Sequence, residues 1–186
     1  MGRVYDEIDE RLAAFLLRQP VFFVATSPLA EDGHINLSPK GLAGSFSVVG
    51  SRAVAYLDLT GSGVETIAHL RQNGRIVLMV CAFQGPPRIV RLHGTGTPHL
   101  PGTARFDELR PCFADLPAVR SIIEIDVARI SDSCGFGVPR MQFVEERPDL
   151  SRWADKKGPD GIAAYQTKNN LVSLDGLSGL PREAVD

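Results

Sequence analysis

The sequence predicts a mainly β protein, an antiparallel and Greek-key-like barrel with flanking helices and a C-terminal extension. Six or seven short apolar segments of strand length follow one another between residues 21 and 130, separated by Gly, Pro and polar turns. Helices do not regularly separate these segments, which argues against a doubly wound parallel sheet. Short antiparallel strands expose their edges unless they close on themselves, so the pattern favours a barrel or a sandwich.

The individual elements are predicted from periodicity and turn residues. Apolar residues recur at helical spacing within residues 6–18, and Pro20 ends that pattern. A second helix is expected at residues 64–72, where Asn73-Gly74 is the stop signal. The predicted strands span residues 21–26, 35–40, 46–49, 53–59, 75–83, 88–97 and 122–130.

The composition changes beyond residue 130 to Gly, Pro, Lys and Asn, which divides the chain into a barrel domain of residues 1–130 and an extension of residues 131–186. Short helices are expected at residues 147–157 and 161–169, with a proline near the start of each. We expect the extension to wrap the barrel or to reach a partner subunit. Its aromatic residues are Phe136, Phe143, Trp153 and Tyr165.

Composition excludes several classes of function. The 186 residues suit one core, and a formal net charge of −2 lacks the strongly basic character typical of nucleic-acid binding. No apolar run approaches the length of a membrane span or forms a signal sequence, so we expect no membrane association and a cytoplasmic location. The three cysteines fit neither a disulfide framework nor a zinc knuckle.

Residues 36–41 form the first segment that points to a ligand, at the end of a predicted strand. Ser38 offers a hydroxyl and Lys40 a compact positive charge that suits a phosphate, while Pro39 restrains the backbone. A lysine in such a position is also common on a solvated surface, and the sequence leaves both interpretations open.

Residues 60–66 form a glycine-rich turn from a strand into a helix. Ser62 and Glu65 have the spacing of a capping box, which would serve the helix alone. The same turn would direct free backbone N–H groups and the positive end of the helix dipole at an anion. No Gly-Lys-Ser/Thr follows, so the turn is not a Walker loop.

Residues 88–94 are a third segment of interest, on a later strand. Arg88 and Arg91 are separated by an odd number of positions, so they are expected to lie on opposite faces of the strand. Only one of them can face a given pocket. His93 is expected to have a surface or structural role.

The order of these segments resembles that of the pyridoxamine 5'-phosphate oxidase-like FMN-binding split β-barrels. Lys40-Gly41 is similar to the strand end of that superfamily, residues 56–58 to its following strand, and residues 61–66 to its phosphate turn. Residues 88–94 look like its later Arg-x-Val-Arg-x-x-Gly strand. The resemblance covers about residues 6–127.

The resemblance implies a homodimer that holds FMN at its interface and acts as an oxidoreductase on a small molecule. Lys40, Ser62 and Thr66 would bind the phosphate with help from Arg91, and backbone on two strands would line the ring. Trp153 or Tyr165 of a partner's extension would cover the open face. The implied cofactor-binding residues are Asn36, Leu37, Ser38, Lys40, Tyr56, Asp58, Ser62, Gly63, Thr66, Arg91 and Trp153.

Departures from the true oxidases leave the substrate open. Their phosphate turn carries a Ser-Arg-Lys cluster where this chain has Ser62-Gly63-Val64, and their later strand carries a Gln where this chain has Ile89. Their C-terminal Arg and His have no clear counterpart here. Oxidation of vitamin B6 is therefore not expected.

Two alternatives to a flavoenzyme remain open at this stage. The same barrel can serve as a non-catalytic module for flavin, deazaflavin or haem, or as a scaffold without a cofactor. A hydrolase is disfavoured, because no serine lies in Gly-x-Ser-x-Gly. The candidate haem ligands are His34, His69, His93 and His99.

Overall fold

The computed structural model describes residues 2–181. Eight strands form one curled antiparallel sheet in the order β3-β2-β6-β7-β8-β5-β4, and β1 pairs with β8. The strands are β1 (Val4–Tyr5), β2 (Val21–Thr26), β3 (Asn36–Gly41), β4 (Phe46–Gly50), β5 (Ala53–Leu59), β6 (Arg75–Cys81), β7 (Ile89–His99) and β8 (Val119–Ser133). The helices are α1 (Glu10–Leu17), α2 (Glu65–Asn73), α3 (Ala104–Leu109), with a 3-10 turn at Arg110–Cys112, and α4 (Asp149–Asn169).

The mainly β, antiparallel architecture with flanking helices is as predicted. Strands β2 and β5 have the predicted bounds. Strand β8 is longer than predicted because it pairs with three other strands, β1, β5 and β7, at different points along its length. The two-residue β1 was not predicted, since two residues are too few to show a period.

The main core fills the concave side of the sheet. Alternate residues of β2, such as Phe22 and Val24, face inward with Leu78 and Val80 of β6, which lie opposite them in register. Helix α1 buries Leu12, Phe15 and Leu16 in the same cluster and is N-capped by the Asp9 side chain. A smaller cluster packs α3 against the outer residues of β5. The convex side of β2 and β6 is only half-buried.

Helix α2 ends as predicted but begins differently. Gly74 adopts a left-handed conformation with φ 70° as its C-cap. The N-cap is Val64, which makes no side-chain capping bond, so the capping-box interpretation of Ser62 and Glu65 is wrong. Glu65 instead accepts a hydrogen bond from the backbone N–H of Leu174 at 3.3 Å. A contact with the C-terminal extension has replaced the local cap.

Helix α4 contains the two predicted helical stretches as one kinked element. Gly158 lies at the kink with φ 63° and ψ 173°, and Pro159 follows it. Pro159 lacks the N–H that would continue the ladder, so a break at this point is expected. No helix within residues 2–181 has the length and apolar character needed to cross a membrane.

Candidate functional site

A row of polar side chains joins the edge strand β3 to strand β5 and helix α2. Strand β3 is an edge strand, and its residues Asn36, Ser38 and Lys40 lie opposite the inward-facing residues of β2. The Lys40 ammonium reaches Asp58 on β5 at 3.0 Å, and the Asn36 amide donates to the Thr66 hydroxyl on α2 at 3.1 Å. We call these five residues the polar row.

Asp58 is the centre of the row and is fully buried. Lys40 and Arg120 both bond its carboxylate, Arg120 through Nε at 2.6 Å, and the Ser121 hydroxyl lies at 3.3 Å. Burial alone would raise the pKa of Asp58, but the charges of Lys40 and Arg120 hold that pKa below its usual value. Asp58 is therefore an anion at neutral pH.

Arg120 is a site residue that sequence reasoning missed. It is only 5% exposed, and its guanidinium also donates to the Gly63 carbonyl at 2.7 Å. The glycine-rich turn thus has its basic group from the start of β8, about 60 positions downstream, rather than from within the turn. The sequence signal that could have identified Arg120 is its position at the start of an apolar strand. An arginine there is expected to be buried, and a buried arginine is usually paired with an acidic group. Lys40, Arg120 and Asp58 together carry one net positive charge.

A hydrogen-bonded chain continues from the row into α2. The Ser38 hydroxyl donates to the Asn36 side chain at 2.9 Å, and Asn36 also donates to Thr26 at 3.3 Å. Thr26 in turn lies 2.9 Å from Nδ1 of His69, which is fully buried. Burial lowers the pKa of His69, so the imidazole is neutral at pH 7. The groups that lie behind the polar row, the Thr26 hydroxyl and the His69 imidazole, are therefore uncharged.

Tyr56 contributes an unsatisfied hydroxyl beside the row. It is fully buried and packs edge-on against Phe22 with ring centroids 5.4 Å apart. Its hydroxyl has no hydrogen-bond partner of normal geometry within residues 2–181, although the Thr66 hydroxyl lies near it. Burial and then the charge of Asp58 raise the pKa of Tyr56 well above its usual value. The phenol stays protonated and can donate.

The C-terminal extension packs on the glycine-rich turn of its own barrel. Gln166 donates to the Thr60 hydroxyl at 2.8 Å, and Asn170 donates to the Gly61 carbonyl at 3.0 Å. Ser62 remains exposed at the tip of the turn, and space is open where a side chain on Gly61 would stand. The extension thus supports the turn from one side and leaves its tip accessible.

Three predicted site residues lie away from the row. Leu37 faces the opposite side of β3 and is 65% exposed. Arg91 lies on the outer face of β7 and donates to the Ser133 hydroxyl at 3.0 Å, whereas Arg88 is on the inner side over the Phe15 ring. Trp153 packs against Tyr165 within α4, with ring centroids 5.1 Å apart.

The candidate haem ligands are dispersed. His34 pairs with Asp175 at 2.6 Å, and His99 with Glu124 at 2.9 Å. His93 is exposed on β7, and His69 is fully buried, with its Nδ1 bonded to Thr26. Within residues 2–181, no group of three His, Cys, Asp or Glu side chains is arranged to hold a metal ion.

A separate cleft of about 1300 Å³ opens at the other end of β3, next to Gly41. Its walls come from the end of α1, the β3–β4 connection, the β6–β7 turn and the segment that follows β8. Phe22 belongs both to this cleft, which it lines, and to the surroundings of the polar row, where it packs on Tyr56. None of the residues predicted as the cofactor site lines this cleft.

A curled antiparallel sheet with flanking helices is the architecture of the split β-barrel proteins. Residues 8–134 match the family described as pyridoxamine 5'-phosphate oxidase. A curated relative, the pyridoxamine 5'-phosphate oxidase family protein ustO of Aspergillus flavus, is 39% identical over 196 residues, which cover 95% of this chain and 77% of the relative. The chain belongs to the pyridoxamine 5'-phosphate oxidase family.

Solved structures agree with this fold. A crystal structure of a HupZ variant from Group A Streptococcus has a TM-score of 0.53 at 20% identity and covers 68% of this chain and 99% of that one. A second HupZ structure has a TM-score of 0.51 at 20% identity, and the match covers 66% of this chain and 91% of that one. The predicted split barrel and the family resemblance are confirmed.

Proposed function

We propose that this protein binds FMN with its phosphate at the polar row and acts as an FMN-dependent oxidoreductase on a small molecule. The observation that carries the proposal is the cluster of Lys40, Asp58 and Arg120, whose one net positive charge lies beside the glycine-rich turn of a family member. A buried cluster with a surplus cation suits a phosphate better than a neutral ligand.

The donors of this region fit a phosphate. Lys40 has 20% of its side chain exposed, so it can turn from Asp58 toward a ligand while Arg120 keeps the carboxylate paired. The N-cap of α2 has no side-chain cap, which leaves early N–H groups for an anion. The hydroxyl of Ser62 and the open side of Gly61 lie at the same turn.

Bound flavin would supply the electron-transfer chemistry, and the chain would hold and orient it. The Tyr56 phenol and the neutral His69 imidazole make this wall of the site polar without adding charge. Because no side chain here is an unpaired carboxylate, we assign no general base to the chain.

We further propose that the protein is a homodimer. Ile35 lies immediately before the edge strand β3 and Leu37 lies on its outer face, and they are 76% and 65% exposed. The apolar surface that they form continues onto Ala25 of β2 and Val77 of β6, which are half-buried and lie in register with Leu37. Such an apolar edge is unfavourable in water and invites a partner.

The test is an absorbance spectrum of the protein after addition of FMN and desalting, with the mass of the same sample from light scattering. Retention of the visible bands of oxidised flavin at one per chain, on a particle of twice the chain mass, is the expected result. Loss of all flavin on desalting at micromolar protein would contradict FMN binding, and flavin retained on a monomer would contradict the dimer alone.

A further inference from the structure

The cleft beside Gly41 has the character of a ligand site. Its floor is aromatic, with Phe15, Phe22 and Phe46 from three different elements, and Phe22 and Phe46 are tilted against each other at 5.2 Å. A concave, mainly apolar cleft of this size is the usual form of a small-molecule site. Aromatic walls favour a flat partner, because stacked and edge-on ring contacts add to simple burial.

One wall of the cleft is a strap, which we define as residues 134–147 between β8 and α4. It is fastened at two points: the Met141 N–H donates to the Phe83 carbonyl at 3.0 Å, and the Ala43 N–H donates to the Glu146 carboxylate at 2.5 Å. Phe136 lies before the first of these points and Phe143 lies between the two. Both line the cleft, and they are 83% and 50% exposed.

The exposure of these rings is an independent sign of a missing occupant. Leu17 and Met141 also line the cleft and are 54% and 56% exposed, so large apolar side chains surround its mouth on both sides. Contiguous exposed apolar surface of this kind is uncommon on a protein unless something binds there.

The charges of the lining indicate an uncharged ligand. Two arginines and two carboxylates line the cleft, and they balance: Arg18, Arg88, Asp132 and Glu146. The Arg88 guanidinium is occupied by Asp132 at 3.3 Å and lies over the Phe15 ring, so it is not free for an anion.

We propose that this cleft is a binding site for a flat, uncharged aromatic molecule, enclosed between the end of α1 and the strap. The site shares Phe22 with the wall behind Tyr56 but uses none of the polar row, so binding there does not require flavin. A second copy of the chain seated on the cleft is the rival occupant, and the test separates the two.

The probe is N-phenyl-1-naphthylamine, a neutral molecule whose fluorescence rises in apolar surroundings, titrated into the full chain without flavin. Saturable binding of one probe per chain is expected. Phe143→Ala and Leu17→Ala are each expected to weaken it about five- to tenfold, because each removes part of a wall. Val144→Ala is the matched control, since Val144 is 84% exposed on the strap but does not line the cleft.

Three outcomes would overturn the proposal. They are the absence of saturable binding, equal affinity in all the variants, and much tighter binding of the sulfonated analogue 8-anilino-1-naphthalenesulfonate. A cleft filled by a second copy would give the first outcome together with a fall in mass for Leu17→Ala in light scattering. All the substituted side chains are at least half-exposed, so folding is not at risk.

Discussion

At the scale of single residues, the most consequential feature is the buried carboxylate of Asp58. A fully buried ion is costly unless it is paired and hydrogen-bonded, and here Lys40, Arg120 and Ser121 provide that pairing. The sequence indicated Lys40 and Asp58 separately as ligand residues. Their pairing could not be predicted, because it depends on how the sheet curls to bring β3 to β5.

Replacing Asp58 by Ala should therefore destabilise the fold strongly. It would leave Arg120, only 5% exposed, without its counter-ion, and loss of about 3–5 kcal/mol in the free energy of unfolding is expected. Lys40→Ala is the control, since it removes the more exposed partner and keeps the pair of Asp58 with Arg120. Urea unfolding of both variants measures the difference, and equal losses would contradict this account.

The same pair should set part of the acid stability. The pKa of Asp58 is lower in the folded protein than in the unfolded chain, so its contribution is complete above about pH 5 and is lost as the pH falls through the folded pKa. Between about pH 5 and pH 3, Asp58→Ala should lose less further stability than the unsubstituted protein. Parallel curves for the two proteins in urea unfolding would show that Asp58 is not the group responsible.

At the scale of elements, the sequence predicted a helix end correctly where that end is determined by residues next to it in the chain. Gly74 ends α2 because its positive φ suits glycine, and the Asn73-Gly74 signal predicted it. The start of α2 was mispredicted because distant groups intervene: Arg120 takes the Gly63 carbonyl, and Leu174 takes the Glu65 side chain. Contacts between residues more than 50 positions apart leave no mark on a capping pattern.

The kink of α4 is the element-scale feature that is simplest to test. Gly158 has φ 63° and ψ 173°, a conformation that is essentially restricted to glycine. Gly158→Ala should cost about 1–3 kcal/mol in the free energy of unfolding. Gly137→Ala is the control, because Gly137 lies in the same extension with open space around it and should change stability by less than about 0.5 kcal/mol. Equal midpoints in urea would contradict a strained kink.

At the scale of the whole molecule, alternation and turn residues predicted an antiparallel barrel, and the order of motifs predicted the family. Both are confirmed. The cleft was not predictable, because its aromatic residues come from α1, β2 and β4 and from the strap, which no local pattern relates. The extension could be seen to carry aromatic residues, but its contacts with residues 60–65 depend on tertiary packing.

The central claim is that the polar row binds the phosphate of FMN. Calorimetric titration of the protein with FMN and with riboflavin, which lacks only the phosphate, tests it directly. FMN should bind at least about tenfold more tightly than riboflavin, and Lys40→Ala should remove most of that difference by weakening FMN alone. Equal affinities for the two flavins, or an undiminished preference for FMN in Lys40→Ala, would contradict the assignment of this row.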